Sequence, residues 1–99
     1  MIECLAKIDE FLNTDESNFW TFYNWFQDWY FGDKNEKIRK SLRPDEIAVT
    51  HEINELLAYA GTNPTQQERD EGIMDENQFR ERLSKLKKEN VQIWNRYGM

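Results

Sequence analysis

Hydrophobic positions recur at helical spacing in four stretches of the chain, and polar segments separate them. In the first, Ile2, Leu5, Ile8 and Leu12 follow one another at intervals of three and four, with Phe11 beside them. This predicts a helix over 2–12, broken by Asn13, Thr14 and Asp15. Thr14 or Asp15 is expected to cap the next helix. The second stretch, NFWTFYNWFQDWYF (18–31), puts nine aromatic residues into fourteen positions. Phe19, Phe22, Tyr23, Phe26, Trp29 and Tyr30 fall within one broad stripe, with Trp25 at its margin and Thr21, Asn24, Gln27 and Asp28 opposite. The period is that of a helix, not the alternation of a strand. Most of these rings are therefore expected in the core, where their large area offsets a shortage of Leu, Ile and Val. Trp20 and Phe31 lie off the stripe. Either an interface or cover by a neighbouring helix would account for them.

Gly32 and Asp33 end this helix, and 34–43 (KNEKIRKSLR) reads as a basic polar connector. Pro44 suits the first turn of a third helix, with Asp45 and Glu46 near its positive end. Val49, Ile53, Leu56, Leu57 and Ala60 form its apolar face, and Gly61 is the expected C-terminal cap. Residues 61–74 (GTNPTQQERDEGIM) have no apolar side chain before Ile73 and read as a long loop, the kind that is functional or disordered. Asp75 with Gln78 forms a capping box, and Met74 with Phe79 a hydrophobic staple, so a fourth helix starts there. Phe79, Leu83, Leu86, Ile93 and Trp94 continue its inner face. The expected architecture is all-α: a single domain over 1–99 folded as an antiparallel four-helix bundle.

Charge changes the picture because it comes in blocks. The net charge of −6 divides into seven acids and one base over 1–33, five bases and one acid over 34–43, nine acids and one base over 44–76, and six bases and two acids over 77–99. A net acidic chain repels phosphate, so direct nucleic-acid binding is not expected and a basic partner is. The aromatic stretch cannot stack bases productively, since 15–33 carries no cation. The basic segment RERLSKLKKE (80–89) reads as the solvated face of an amphipathic helix. No apolar run approaches the roughly 20 residues that span a bilayer. The N-terminus lacks the basic and apolar regions of a signal peptide. The single Cys4 forms no internal disulfide, which fits a reducing cytoplasm.

Catalytic chemistry is hard to build from these residues. HEINE (51–55) matches the first half of the helical zinc motif H-E-x-x-H, but there is no second His, so His51 and Glu55 lack a ligand set. Cys4 reads as a core thiol. No Gly-rich phosphate loop is present. Neither an enzyme nor a cofactor is expected. What stands out is the acidic middle block: Glu52 and Glu55 off the apolar face of the third helix, Glu68, Asp70 and Glu71 on the loop after it, and Asp75 at the next helix start. Such a patch steers a basic partner and imitates a phosphate backbone.

The run IDEFLNTDESNFWTFYNWF, then EINELLAYA, an acidic turn, and IMDENQFRERLSKL resembles the colicin D-type immunity family, which includes immunity proteins of contact-dependent growth inhibition toxins. The resemblance rests on a first helix ending in Phe11-Leu12, an aromatic second helix, Leu56-Leu57 in the third, and a last helix opened by Asp75 to Arg80. It covers most of the chain as a hydrophobic pattern without a catalytic motif. It implies a small cytoplasmic helical bundle that neutralises a basic nuclease toxin, often a tRNase, as a monomer in a 1:1 complex. Glu52, Glu55, Glu68, Asp70, Glu71 and Asp75 would then meet the toxin's Lys and Arg, with Asp28, Asp33 and Trp25 at the margin. Several such toxins recruit the tRNA-delivering elongation factor, which the resemblance makes a third possible member of the complex. Two other readings fit the residues: a phage-type nucleic-acid mimic that inhibits a defence nuclease, and a small helical adaptor pairing through Trp20 and Phe31.

Overall fold

A computed structural model of the chain describes residues 1–14 and 18–99. The protein is all-helical, and seven α-helices lie among the described residues: α1 Ile2–Leu12, α2 Phe19–Phe31, α3 Glu36–Lys40, α4 Pro44–Ala58, α5 Gln66–Asp70, α6 Glu76–Glu89 and α7 Val91–Arg96. A 3-10 turn at Asp33–Asn35 leads into α3. None of these helices is long and apolar enough to cross a membrane.

The four long helices contact one another in a closed order, α1 on α2, α2 on α4, α4 on α6 and α6 on α1. Side-chain pairings give their directions. Phe11 meets Phe22 while Lys7 lies over Trp25, so α1 and α2 are antiparallel. Arg80 reaches the Phe11 carbonyl while Lys87 reaches Asp9, so α1 and α6 are antiparallel as well. Buried in the centre are Leu5, Ile8 and Phe11 of α1, Phe19, Phe22, Phe26 and Trp29 of α2, Val49, Ile53 and Leu57 of α4, and Phe79, Leu83 and Leu86 of α6, with Ile93 and Trp94 of α7. The aromatic stripe of α2 is thus core, and Phe79 is its hub. Its ring lies 5.6 Å from Phe11, 5.4 Å from Phe19 and 6.1 Å from Phe22. Edge-on and tilted rings at these separations add to simple area burial.

The structure corrects the expectation of four helices and plain connectors at three places. The basic connector holds α3, because Arg39 donates from Nη1 to the carbonyls of Trp29 and Gly32, both at 2.6 Å. A guanidinium here satisfies the Trp29 carbonyl in the last turn of α2, joins the Asn35 N–H on the Gly32 carbonyl, and suits the negative dipole end. The long loop holds α5. The fourth helix divides at Asn90, whose Nδ2 donates to the Leu86 carbonyl at 2.9 Å and competes with the backbone ladder. The apolar period runs on through Asn90, so spacing alone does not show the break.

Smaller corrections concern helix ends. The buried face of α1 is centred on Leu5, Ile8 and Phe11, with Cys4 beside them, and Ile2 is exposed. At about 100° per residue Ile2 sits roughly 120° around from Ile8. Thr14 does not cap α2: its hydroxyl donates back to the Glu10 carbonyl at 2.7 Å. Asp15, the other expected cap, lies outside the described residues. Asn18 takes the N-cap position without a side-chain capping bond, its Oδ1 accepting from Arg80 Nη2 at 2.9 Å. Helix α4 ends at Ala58, and Gly61 does not cap it. The Met74 N–H donates to the Tyr59 carbonyl at 2.7 Å and the Gly61 N–H to the Met74 carbonyl at 2.9 Å, which pulls the chain out of helical path.

Candidate functional site

Those two backbone bonds clamp the neck of segment 61–74, so it leaves and returns at one point. Within it, Thr65 caps α5: its Oγ1 accepts from the Glu68 N–H at 3.1 Å while Glu68 Oε1 accepts from the Thr65 N–H at 3.0 Å. This is the reciprocal capping box that a Ser or Thr followed three residues later by Glu encodes. At the other end Gly72 has φ +97°, the Ile73 N–H donates to the Glu68 carbonyl and the Gly72 N–H to the Arg69 carbonyl. That pair of bonds is a Schellman motif, and the left-handed residue at its centre favours glycine. Pro64 is buried at the entry. A segment with almost no apolar side chain is therefore ordered by backbone and capping bonds, not by packing.

The order is testable. Gly72→Ala is expected to cost the α5 turn about 1–2 kcal/mol, because a Cβ strains this φ although nothing crowds it in space. Hydrogen exchange at the Gly72 and Ile73 amides would quicken by about tenfold or more, while amides of α6 stay protected. Equal exchange in both proteins would show that the motif does not hold the turn.

The acidic residues fall into three groups. Glu68, Asp70 and Glu71 are exposed together on α5 and its cap. Asp70 Oδ1 accepts from Gln66 Nε2 at 2.9 Å. The Thr65 backbone N–H and hydroxyl hold the Glu68 carboxyl below its ordinary value. Asp75 joins them through Arg69, whose Nη1 is 3.0 Å from Asp75 Oδ2. Its Oδ1 accepts from the Gln78 N–H at 2.8 Å, and these bonds, the Gln78 one first, depress its pKa. Asp75 is thus a helix cap with its charge already engaged.

Glu52 and Glu55 form the second group, both exposed on α4. Glu55 Oε1 lies 3.7 Å from His51 Nε2. Glu52 lines a shallow cleft with Arg82, Lys85 and Glu89 of α6, so its surroundings are of mixed sign. Asp28 and Trp25 belong to the third group, in a groove of about 480 Å³ shared with Glu3, Trp29, Lys34 and Asn35. Trp25 is partly buried there, stacked on Trp29 with ring centres 6.0 Å apart. Asp33 is exposed at the start of the following 3-10 turn. Trp20 and Phe31 are 52% and 62% exposed, so no neighbouring helix covers them.

Cys4 is fully buried, and burial pushes its thiol up to about 12. A thiolate nucleophile is not available at neutral pH. Among the described residues no group of three ligating side chains comes together around His51 and Glu55 or elsewhere.

The polar cluster missed from the sequence joins the two ends of the second half. Glu46 is buried and accepts from the Arg43 N–H at 3.0 Å, Arg96 Nη1 at 2.7 Å and Tyr97 Oη at 2.7 Å. Arg96 also forks onto Asp45 through Nη1 at 3.1 Å and Nη2 at 2.8 Å. Burial raises the Glu46 carboxyl, but the bonds from Tyr97, Arg43 and Arg96 outweigh it and leave the group below its ordinary 4.5. The Arg96 fork likewise lowers Asp45. In the sequence Glu46 reads as an acid near the positive end of the helix that Pro44 opens. Its partners, some fifty residues on, have no signal there. Arg80 is the other connector, donating to the Phe11 carbonyl and stacking its guanidinium over the Phe11 ring.

No family model, no curated protein and no solved structure matches the chain.

Proposed function

We propose that this chain is a cytoplasmic immunity protein of the colicin D type, with α1, α2, α4 and α6 serving as an antiparallel four-helix bundle that presents α5 to a basic nuclease toxin. The observation that carries the reading is α5 itself. Glu68, Asp70 and Glu71 stand exposed on a turn that capping bonds and a clamped neck hold in one conformation. Pre-ordering the acidic groups lowers the entropy lost on binding, which favours a tight complex. The complex is 1:1, the inhibitor occupies the toxin's RNA-binding surface, and a toxin that recruits the elongation factor would bring it as a third member. A phage-type mimic acting on a defence nuclease shares this charge logic and differs in its target. The exposed Trp20 and Phe31 favour, as a second reading, an adaptor that pairs through these rings.

Glu68 is part of its own helix cap, so its reversal would mix loss of charge with loss of structure. Asp70→Lys/Glu71→Lys avoids this. The first experiment is a pull-down of the tagged chain from its native cytoplasm, with partners identified by mass and their affinity measured for both proteins. A basic nuclease domain in equal amount is expected, bound at least about 100-fold more weakly by the double variant, since each tenfold corresponds to about 1.4 kcal/mol. Its association rate with the native chain should fall steeply with salt. Full retention of affinity in the variant would remove α5 from the interface, and recovery of the chain alone would count against a tight inhibitor.

A further inference from the structure

Helix α2 turns a second set of rings outward. Trp20, Asn24, Gln27 and Phe31 follow one another at intervals of four, three and four. At about 100° per residue they lie within roughly 60° of one another, on the side away from the buried Phe19, Phe22, Phe26 and Trp29. Lys7 of α1 reaches Trp25 on one flank, and Ile47 of α4 shares a cleft with Tyr30 on the other. The outward stripe runs between these two neighbours, with Trp20 and Phe31 52% and 62% exposed at its ends. None of its four side chains carries a charge.

The order of these residues selects what covers them. The stripe is the same in both directions: ring, amide, amide, ring, at the same four-three-four spacing. A two-fold interface needs a surface of this kind, in which residue i meets j while j meets i. Antiparallel packing of α2 against α2 of a second copy brings Trp20 level with the partner's Phe31 and Asn24 level with the partner's Gln27. Rings pair with rings, and amides both donate and accept, so each level is complementary. We propose that the chain forms a weak two-fold dimer through this stripe, with the two α2 helices antiparallel. The charges outside the stripe favour the same direction. Phe79 at the start of α6 touches Phe19 at the start of α2, and Arg69 ties α5 to Asp75 before α6. The exposed Glu68, Asp70 and Glu71 therefore belong to the end where α2 begins. The exposed Lys34, Lys37 and Lys40 follow its other end, where Arg39 binds the Trp29 and Gly32 carbonyls. Antiparallel pairing sets the acidic end of each copy towards the basic end of the other, whereas parallel pairing sets like ends together. A charged peptide finds no counter-charge in the stripe, and an anionic membrane repels a chain of net charge −6 whose α2 holds no base. The inference rests on the second reading, in which these rings pair, and adds what they pair with.

The test is sedimentation equilibrium of the full chain. A single-helix contact is smaller than a standard stable interface, so a monomer–dimer equilibrium with a Kd on the order of 100 μM is expected. Trp20→Glu and Phe31→Glu should each weaken it at least tenfold. Trp20→Ala and Phe31→Ala, expected to weaken it several-fold, serve if a Glu variant does not fold by circular dichroism. Direction is read by a short bifunctional maleimide, since Cys4 is fully buried and an introduced thiol stands out. A mixture of Trp20→Cys and Phe31→Cys chains keeps one of the two ring pairs and sets the two thiols level. It should crosslink the one variant to the other. Either variant alone sets its two thiols about 16 Å apart along the helices and should crosslink little. The proposal is overturned by a monomer at about 1 mM, by an equilibrium that the ring variants leave unchanged, or by crosslinking of either cysteine variant alone in preference to the mixture. The adaptor reading fails separately, when native and Trp20→Glu chains recover the same partners in the pull-down.

Discussion

Phe79→Ala is expected to lower the unfolding free energy by about 3–5 kcal/mol, the range for removing a large ring from a packed core. Phe79 is fully buried and touches the rings of Phe11, Phe19 and Phe22, so its loss leaves a cavity between α1, α2 and α6 that three rigid neighbours cannot close. Total stability for a domain of this size is about 5–15 kcal/mol, so the change takes away a third or more of it in most of that range. Urea unfolding should show a midpoint shift with little change in slope, and the melting temperature should fall by more than about 10 °C. Trp20→Ala is the matched control. Its ring is larger but half exposed, packed edge-on against the Phe19 and Tyr23 rings, and its removal should cost less than about 1 kcal/mol. Similar losses in the two variants would mean that the aromatic stripe is not divided into core and surface as described.

The second large effect is expected at Glu46. Glu46→Ala removes the acceptor of the Arg43 N–H, the Tyr97 hydroxyl and one arm of Arg96, and it leaves the Arg96–Asp45 fork to tie α7 to the start of α4. Breaking a buried charged pair from one side costs about 3–5 kcal/mol where the partner is left stranded. Arg96 keeps Asp45 and some contact with water, so about 2–3 kcal/mol is expected here. Glu46→Gln keeps the shape and isolates the charge. The folded values of Glu46, Asp45, Glu68 and Asp75 are all depressed, so the unfolded chain binds more protons through the acid range. Their contribution is fully present above the ordinary 3.8–4.5 and is lost as pH falls through the lower folded values. Denaturation from neutral pH downwards should therefore steepen below that point, and Glu46→Gln should flatten the curve. A Glu46→Gln curve parallel to the native one would show that the charge contributes nothing.

The two variants probe different kinds of information in the chain. Phe79, Phe19, Phe22 and Phe26 were readable as core because a helix repeats every 3.6 residues and buries one face, so spacing carries burial directly. The Asp75 cap was readable too, since capping is chemistry between residues three apart, and so was Pro44 in a first helical turn, where its missing N–H costs nothing. The Thr65–Glu68 box is equally local, but the segment around it has no hydrophobic period to mark a helix. Helix α5 therefore read as loop.

Long-range polar partners are another matter. Arg96 and Tyr97 on Glu46, Lys87 and Trp94 on Asp9, and Arg39 on the end of α2 obey no periodicity that a single chain displays. Their pairing depends on where helices cross, and many charged residues would have served equally well at each position. The acidic residues show the same division. Composition announced their number. Only the tertiary arrangement decided that Glu52 lines a cleft with Arg82 and Lys85, and that Asp28 with Trp25 belongs to a separate groove. By itself the sequence determined the helical class, the apolar faces and the net charge, because each is a sum over local neighbours. Which charges remain free for a partner was decided by folding, because a charge is spent or spared only when residues distant in the chain are brought within hydrogen-bond reach.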